Sequence, residues 1–406
     1  MSISLLKRYL PISLALLLFY GSASRFTHGA TSTASFYQYQ NDRSPDDGST
    51  LSRVIPVFDV IVGTTILQQG LSRKVATCFV ASTITSVAFQ RYLAGLDCQG
   101  DFLQVSWFDH ARDMMKLINQ HQRDIPHPIV GIGHSMGGTQ LAQLALWHPR
   151  LLDSLVLIDP IIQIPNPSIS LAGLSTKRRD IWPSREDAVA RFKKSKFFQS
   201  WDPRVLDLWI EHGLRDVPTE LYPKEGGSSP GERVTLTTSK HQELFSFVRP
   251  TYLARHWEPT NDQDPEQNKD CPEYPFHRPE PPKIFRHLPE LRPSTLFVFG
   301  KQSEFSSPER RQEKMLTTGT GVGGSGGAAV GEVQEETLDC GHLIPMEKVS
   351  ECADVISSFV GRESIRWRDQ QGSFKRYRES MSRRQQITID EQWEDKVKLG
   401  DKYLKS

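Results

Sequence analysis

The feature that most constrains the fold is the stretch from Pro128 to Gly138, which reads Pro-Ile-Val-Gly-Ile-Gly-His-Ser-Met-Gly-Gly. An apolar run that meets a glycine-rich turn and then a helical pattern predicts a buried strand followed at once by an amphipathic helix. Ser135 stands at the turn, inside a Gly-x-Ser-x-Gly motif, and in this context its hydroxyl is exposed at the end of a sheet as a nucleophile. The alternative is a tight turn that uses serine only for its small size.

The segments on both sides of this turn predict an α/β fold. The helix is followed by a second buried strand, residues 155–158, which ends at Asp159 and Pro160. A strand, a helix and a strand in so short a span form a parallel βαβ unit, whose sheet is covered on both faces. Residues 161–255 then show helical patterns without strands, and the sheet resumes at residues 295–300. We therefore expect a mostly parallel sheet flanked by helices, with an inserted helical cap.

The chain divides into segments of different composition. We predict a signal-like or anchor-like N-terminus (1–30), a first core part (31–160), a helical cap with a proline-rich connection (161–290), a second core part (291–361) and a charged tail (362–406). The apolar run near the N-terminus is too short for a comfortable membrane span, and membrane contact is expected only through that run. The glycine-rich residues 317–331 predict a flexible surface loop. They include a Gly-x-Gly-x-x-Gly pattern that precedes a strand instead of following one, which argues against a dinucleotide site.

Composition excludes several kinds of partner. The 49 Lys and Arg residues nearly balance the 48 Asp and Glu residues, so no nucleic-acid partner is expected. The five cysteines show no spacing typical of metal ligands or of a disulfide framework. The sequence leaves the oligomeric state open.

A serine hydroxyl is a weak nucleophile at neutral pH, and it needs an imidazole to take its proton and a carboxylate to orient that imidazole. His342 lies behind a glycine in the loop between the last strand and the helix that closes the core, and it is the candidate base. Two carboxylates are candidates for the acid: Asp159, at the end of the strand after the nucleophile helix, and Glu304, after the next strand. Ser303 occupies the usual acid position there, so the sequence favours Asp159 and keeps Glu304 as the alternative.

The negatively charged oxygen formed in acyl transfer needs two backbone N–H donors, which together form an oxyanion hole. The first is expected from Met136, the residue after the nucleophile, and the second from an early loop. No glycine cluster marks such a loop between residues 50 and 100, and Gly63-Thr64 is the nearest, weak candidate.

Several other side chains are assigned structural or solvated positions. His134 adjoins Ser135, but its side chain is expected to point away from the serine. We expect solvated histidines on or beside helices at His110, His148, His212 and His241. A set of aromatic residues either lines an acyl pocket or forms the core of the cap, namely Trp182, Phe192, Phe197, Trp209 and Phe245.

The runs at residues 107–113, 128–138, 148–152 and 155–160 together resemble a fungal branch of the α/β-hydrolase superfamily. That branch includes the peroxisomal acyl-CoA hydrolase of mycophenolic acid biosynthesis and the hydrolases of host-selective toxin pathways, and the resemblance covers roughly residues 96–400. It implies the α/β-hydrolase fold and a triad of nucleophile, acid and base that maps onto Ser135, Asp159 and His342. It also implies hydrolysis of an acyl thioester or ester, a secondary-metabolite intermediate of acyl-CoA type, without a metal or redox cofactor.

The chain departs from that branch in two places. The His-x-x-Gly-Phe-type stretch of the branch is not recognisable in residues 31–95, which leaves open a catalytically impaired scaffold that binds a hydrophobic metabolite or partner. A separate alternative is an acyltransferase, in which an alcohol replaces water at the acyl-enzyme. The resemblance implies a peroxisomal location, although the last residues, Leu404-Lys405-Ser406, differ from the usual peroxisomal tripeptide. The signal-like N-terminus indicates the secretory pathway as the alternative location.

Overall fold

The structure is a computed structural model that describes residues 61–65, 76–81, 106–164 apart from positions 121, 124 and 126, 168–223, 232–250 and 276–404. The predicted N-terminal segment 1–30 and the early loop region 82–105 lie outside the described residues.

Eleven strands occur in the described part of the chain, and they are numbered in chain order: β1 Ile61–Thr65, β2 Ala76–Ala81, β3 Ile129–His134, β4 Ser154–Ile158, β5 Ile181–Trp182, β6 Leu214–Asp216, β7 Val234–Leu236, β8 Arg249–Pro250, β9 Phe276–His277, β10 Ser294–Gly300 and β11 Val333–Leu338. The helices of the same part are α1 Trp107–Gln120, α2 Met136–Trp147, α3 Ser168–Lys177, α4 Arg185–Lys194, α5 Lys196–Gln199, α6 Pro203–His212, α7 Lys240–Phe247, α8 Glu280–His287, α9 Pro308–Thr317, α10 Ile344–Glu347, α11 Val349–Ser380 and α12 Glu391–Leu404. Two short 3-10 helices lie at Leu288–Glu290 and Ala328–Val330.

The central sheet is six-stranded, with the order β1-β2-β3-β4-β10-β11. Strands β2, β3, β4, β10 and β11 run parallel, and β1 pairs antiparallel with β2 at the edge. The predicted mostly parallel sheet flanked by helices is therefore confirmed. Because the parallel strands all end at the same edge, the loops after β3, β4, β10 and β11 converge there.

The cap lies between β4 and β10, and it contains more than helices. A small sheet of order β5-β7-β6 and the antiparallel pair β8–β9 occur beside helices α3 to α7. The prediction of helices without strands over residues 161–255 is therefore wrong. These strands are two or three residues long, which is too short to produce an alternating pattern of apolar and polar residues.

Helix α2, which follows the turn at Ser135, is buried around almost its whole circumference. From Met136 to Ala145 only Gln143 is partly exposed. The prediction of an amphipathic helix is wrong here because α2 packs against β3 on one side and against α1 and α8 on the other. A helix that is apolar all round is typical of a core position.

Two apolar layers cover the faces of the sheet. One layer joins α1, α2 and α8 to β10 through side chains such as Met114, Leu141 and Phe297. The other joins the first turns of α11 to the opposite face through Cys352, Ile356 and Phe359. His110 of α1 is fully buried, which contradicts the prediction of a solvated residue, and burial lowers its pKa to about 3.

The glycine-rich residues 317–331 form a packed loop. The backbone N–H groups of Gly319 and Gly321 donate to the carbonyls of Leu288 and Pro289, both at 2.8 Å, and Ser325 N donates to Leu291 O at 3.1 Å. The prediction of a flexible loop is wrong because these bonds fix the loop against the 3-10 helix at Leu288–Glu290.

The edge strand β1 holds the weak candidate for the second oxyanion donor. Gly63 pairs with Cys78 of β2, and Cys78 in turn lies beside Val130 of β3. Gly63-Thr64 is therefore level with the beginning of β3, whereas Ser135 follows its end. This register contradicts the Gly63-Thr64 candidate, because strand residues five positions apart are separated by roughly 16 Å.

Residues 361–406 form a second compact unit, which contains the last part of α11 and helix α12. Its exposed apolar side chains include Phe374, Tyr377 and Trp393. Among the residues that the structure describes, no helix is both long enough and apolar enough to cross a bilayer.

The end of β10 provides a test of how tightly the sheet edge packs. A Cβ at Gly300 would collide with the carbonyl oxygen of Gly341, in the loop that carries His342. We expect Gly300→Ala to lower the free energy of unfolding by about 1–3 kcal/mol, measured by urea denaturation, because two backbone segments must separate.

Gly173→Ala is the matched control for this substitution. Gly173 lies inside helix α3 with open space around it, so alanine there is expected to stabilise the protein by about 0.5–1 kcal/mol. Equal effects of the two substitutions would contradict the close approach of Gly300 and Gly341.

Candidate active site

Ser135 occupies a strained turn between β3 and α2. Its φ of 57° and ψ of −120° are unusual for a residue with a side chain. Its backbone N–H donates to Ile158 O at 2.9 Å, which ties the turn to the neighbouring strand β4. The turn requires glycine on both sides, because a Cβ at Gly133 would lie 2.6 Å from Gly137 O and a Cβ at Gly138 would lie 2.8 Å from the Cβ of Pro160.

The ring of His342 lies between a hydroxyl and a carboxylate. Its Nε2 is 2.9 Å from the Oγ of Ser135, and its Nδ1 is 2.6 Å from the Oδ2 of Asp159. With Nδ1–H donating to the carboxylate, Nε2 is left as an acceptor for the serine hydroxyl proton. The structure thus brings together three sequence-predicted residues that come from the ends of three different strands.

Asp159 is fully buried, and its carboxylate oxygens act as acceptors in the hydrogen bonds described for them. Oδ2 accepts from His342 and from the Ser303 hydroxyl, and Oδ1 accepts from the Ser306 hydroxyl. Burial raises the pKa of Asp159, but the hydrogen bond and charge of His342, together with the two serine hydroxyls, outweigh burial and hold that pKa below its ordinary value. Its backbone φ is 42°, and Asp159 and Ser135 are the two non-glycine residues with positive φ in the described chain.

Glu304, the alternative acid, is exposed at the turn after β10. Its backbone carbonyl accepts from Arg310, whereas the carboxylate bonded to His342 is that of Asp159. Ser303, at the usual acid position of this turn, donates to Asp159. Of the two candidates, the structure therefore brings Asp159 and not Glu304 to the His342 ring.

His134 contacts the His342 loop, a role that the sequence did not reveal. Its ring centroid is 4.9 Å from that of His342, and its Nε2 is 2.9 Å from the backbone oxygen of His342, to which it donates. Burial and, second, the nearby His342 charge lower the pKa of His134 to about 3, so its ring is neutral at physiological pH. No local sequence pattern predicts the contact between His134 and His342, because the two residues are 208 positions apart.

The loop after β11 is held from several other sides. The rings of Phe305 and His342 pack in a T-shaped arrangement, with 4.6 Å between the ring centroids. The Gly341 N–H donates to the Glu347 carboxylate at 3.1 Å. On the cap side, Leu343 and Met346 pack with Trp201 and Val205, and the Asp202 N–H donates to Met346 O at 2.8 Å.

Met136 begins helix α2 directly after Ser135. The first N–H groups of a helix have no partner within that helix. The Met136 N–H is therefore in a position from which it can donate to a negatively charged oxygen. A loop that could offer a second donor follows β2, and its residues 82–105 lie outside the described part.

Three of the five aromatic residues singled out in the cap belong to its core, which is the alternative that the sequence favoured for most of them. Trp182, Phe192 and Trp209 pack with one another there, whereas Phe197 and Phe245 are exposed. The cluster that contains Met136 consists instead of buried side chains from the core and the loops at the sheet edge, namely Trp107, Met136, Ile161 and Phe305, with Leu171 of the cap packed against them.

Comparison with known proteins shows which family this sequence matches. Residues 77–355 match the family described as "Alpha/beta hydrolase family". The chain is 36% identical over 313 residues to the type I acyl-CoA thioesterase mpaH' of Penicillium brevicompactum, with 72% of this chain and 71% of that protein covered.

A second relative and a solved structure are more distant. The abhydrolase domain-containing protein ACTT2-1 of Alternaria alternata is 30% identical over 240 residues, with 58% of this chain and 84% of that protein covered. The peroxisomal alpha-beta-hydrolase Lpx1 of Saccharomyces cerevisiae is 17% identical, with a TM-score of 0.42 and coverage of 69% of this chain and 71% of that chain.

The low pKa of His134 predicts how stability depends on pH. A histidine with a pKa of 6.5 when unfolded and about 3 when folded binds a proton more readily in the unfolded state. The free energy of unfolding should therefore fall as the pH drops from 6.5 towards 3, by about 1.4 kcal/mol per pH unit from this residue alone. His134→Phe removes the proton site, so the variant should show a shallower slope in urea denaturation over this range.

The same substitution has a separate effect at neutral pH. It leaves the partly buried carbonyl of His342 without its donor, which is expected to cost about 1 kcal/mol of stability. Curves of stability against pH that run parallel for the two proteins would contradict a neutral, proton-excluding His134.

Proposed function

The chain belongs to the alpha/beta hydrolase family, and on that premise we propose that it is a serine hydrolase with Ser135 as nucleophile, His342 as general base and Asp159 as the acid that orients the imidazole. The observation that supports this proposal most is the pair of hydrogen bonds at the His342 ring, 2.9 Å to Ser135 and 2.6 Å to Asp159. The strained backbone of Ser135 adds support, because it holds the hydroxyl at the sheet edge.

In the proposed reaction, His342 Nε2 takes the hydroxyl proton as Ser135 Oγ attacks the acyl carbonyl carbon. Asp159 stabilises the imidazolium that forms, and the Met136 N–H donates to the negatively charged carbonyl oxygen. His342 then gives its proton to the departing thiol or alcohol, which leaves an acyl group on Ser135. A water molecule, deprotonated by the same imidazole, then attacks the acyl carbon. The bond to Ser135 Oγ breaks, the imidazolium returns its proton to that oxygen, and the free acid leaves.

We propose an acyl thioester or ester as the substrate. The support is the type I acyl-CoA thioesterase of Penicillium brevicompactum, of which this chain covers 71%. The resemblance to the fungal branch named in the sequence analysis extends the proposal to an intermediate of secondary metabolism, including toxin biosynthesis. A comparison of the metabolites of a deletion strain with those of its parent would test this extension.

The first test is covalent labelling by a fluorophosphonate probe, read by mass spectrometry of the intact chain. We expect one probe per wild-type chain and none on Ser135→Ala, whose kcat on an active ester or thioester should fall on the order of 10⁶-fold. Ser184→Ala is the matched control, because Ser184 caps helix α4 through Asp187 N and should leave labelling intact.

Failure of the wild-type chain to react would favour the alternative of a catalytically silent scaffold. Equal labelling of Ser135→Ala would remove Ser135 as the nucleophile.

A second test separates the two candidate acids. Asp159→Asn should lower kcat by about 10⁴-fold, because the amide cannot hold the imidazole in the required tautomer. Glu304→Gln should stay within a few-fold of wild type, since Glu304 is exposed and bonded through its backbone. Both variants are compared by steady-state kinetics on the same ester, and a larger loss from Glu304→Gln would overturn the assignment of Asp159.

A further inference from the structure

Two serine hydroxyls approach the Asp159 carboxylate from the turn that follows β10. Ser303 Oγ lies 2.5 Å from Oδ2, and Ser306 Oγ is hydrogen-bonded to Oδ1. Both serines are buried, and they bind different oxygens of the same carboxylate. The carboxylate is therefore held at both ends by groups outside the proposed triad.

The Ser303 hydroxyl has partners on two sides. The Phe305 N–H donates to Ser303 Oγ at 3.2 Å and occupies one of its two lone pairs. The single hydroxyl proton of Ser303 is donated to Asp159 Oδ2, the oxygen that also accepts from His342 Nδ1. On the other oxygen, the Gly300 N–H is a distant additional donor at 3.5 Å.

We propose that Ser303 and Ser306 are positioning residues that keep Asp159 ionised and fix which of its oxygens faces His342. This inference rests on the proposed function, because it assigns the two hydroxyls a role in the same triad. A protonated Asp159 would carry a donor on an oxygen whose neighbours are themselves donors, so the arrangement favours the carboxylate over the acid.

The need for such donors follows from the complete burial of Asp159. Removal from water raises the pKa of a carboxyl group, and a neutral acid would orient the imidazole less strongly. The titratable groups that interact electrostatically with Asp159 are His342, His134, Lys314 and Cys340. Lys314 is itself buried, at 5.9 Å from the Phe299 ring, and burial lowers its pKa to about 8 while the negative charge of Asp159 opposes that shift.

Loss of a hydroxyl has a predictable sign. The active state contains a carboxylate and a neutral imidazole, and the serine donors stabilise the carboxylate in that state. Without them, any state in which the Asp159–His342 pair holds an extra proton gains in population. The acid limb of kcat/KM, where activity falls as the pH is lowered, should therefore move to higher pH.

The test compares pH profiles of kcat and KM for wild type, Ser303→Ala, Ser306→Ala and the double variant on one ester. We expect the acid limb to rise by about one pH unit for each single variant and further for the double variant, with kcat affected more than KM. Activity should return towards the wild-type value at pH above the shifted limb. Ser303→Thr, which keeps a hydroxyl, should retain the wild-type limb.

Ser307→Ala is the matched control from the same turn. Ser307 caps helix α9 through Arg310 N, so its loss removes a hydrogen bond and some stability but should not move the acid limb. An unchanged limb in Ser303→Ala and Ser306→Ala, or an equal shift in Ser307→Ala, would overturn the proposal.

A measurement without turnover separates this inference from the proposed function. In the Ser135→Ala background, NMR of the downfield Nδ1–H proton of His342 follows the titration of the pair directly. Addition of Ser303→Ala should move that titration to higher pH, and an unmoved titration would count against the positioning role. An inactive wild-type enzyme would instead count against the proposed function, whatever the titration shows.

Discussion

The pairing of a fully buried carboxylate, Asp159, with the ring of His342 is the interaction on which the geometry of the candidate site depends. The carboxylate sits at the end of β4, the imidazole follows β11, and β10 lies between them in the sheet. A pair that spans an intervening strand stays aligned only if the parallel register is kept. The register from Ser294 beside Ser154 to Val298 beside Ile158 fixes the first half of that distance, and the pairing of β10 with β11 fixes the second.

The cap participates in this arrangement. Trp201 and Val205, from the cap, pack against Leu343 and Met346, which lie one and four residues after His342. On the other side of the same loop, His134 donates to the His342 backbone from the end of β3. The loop that carries the imidazole is thus held between cap and core. A displacement of the cap would therefore shift the His342 ring. Such a clamp is one way to hold a side chain within a small fraction of an ångström of a productive position.

The sequence identified the three residues that meet at the site because each follows a recognisable strand or lies in a recognisable turn. It favoured Asp159 as the acid but kept Glu304 as the alternative, because either carboxylate follows a strand whose end reaches the same edge. The decision depends on side-chain direction: Glu304 is exposed, while its neighbour Ser303 is buried and bonded to Asp159. The contacts of His134, Phe305 and Ser306 escaped prediction because they join segments far apart in the chain. The same limit applies to α2, whose complete burial depends on neighbours that periodicity within one helix does not reveal.

The positive φ of Asp159 has a consequence for how this position can vary among related sequences. Aspartate and asparagine tolerate left-handed backbone better than other residues with side chains, and glutamate does not share that tolerance. Under the proposed function, aspartate therefore meets two requirements at this position: it supplies the carboxylate, and it permits the bend at the end of β4. Replacement of this aspartate by glutamate would keep the negative charge. It is disfavoured here because glutamate tolerates the positive φ poorly. Descendants of this chain that lose the acid should drift towards asparagine or glycine, and the backbone bend should outlast the carboxylate.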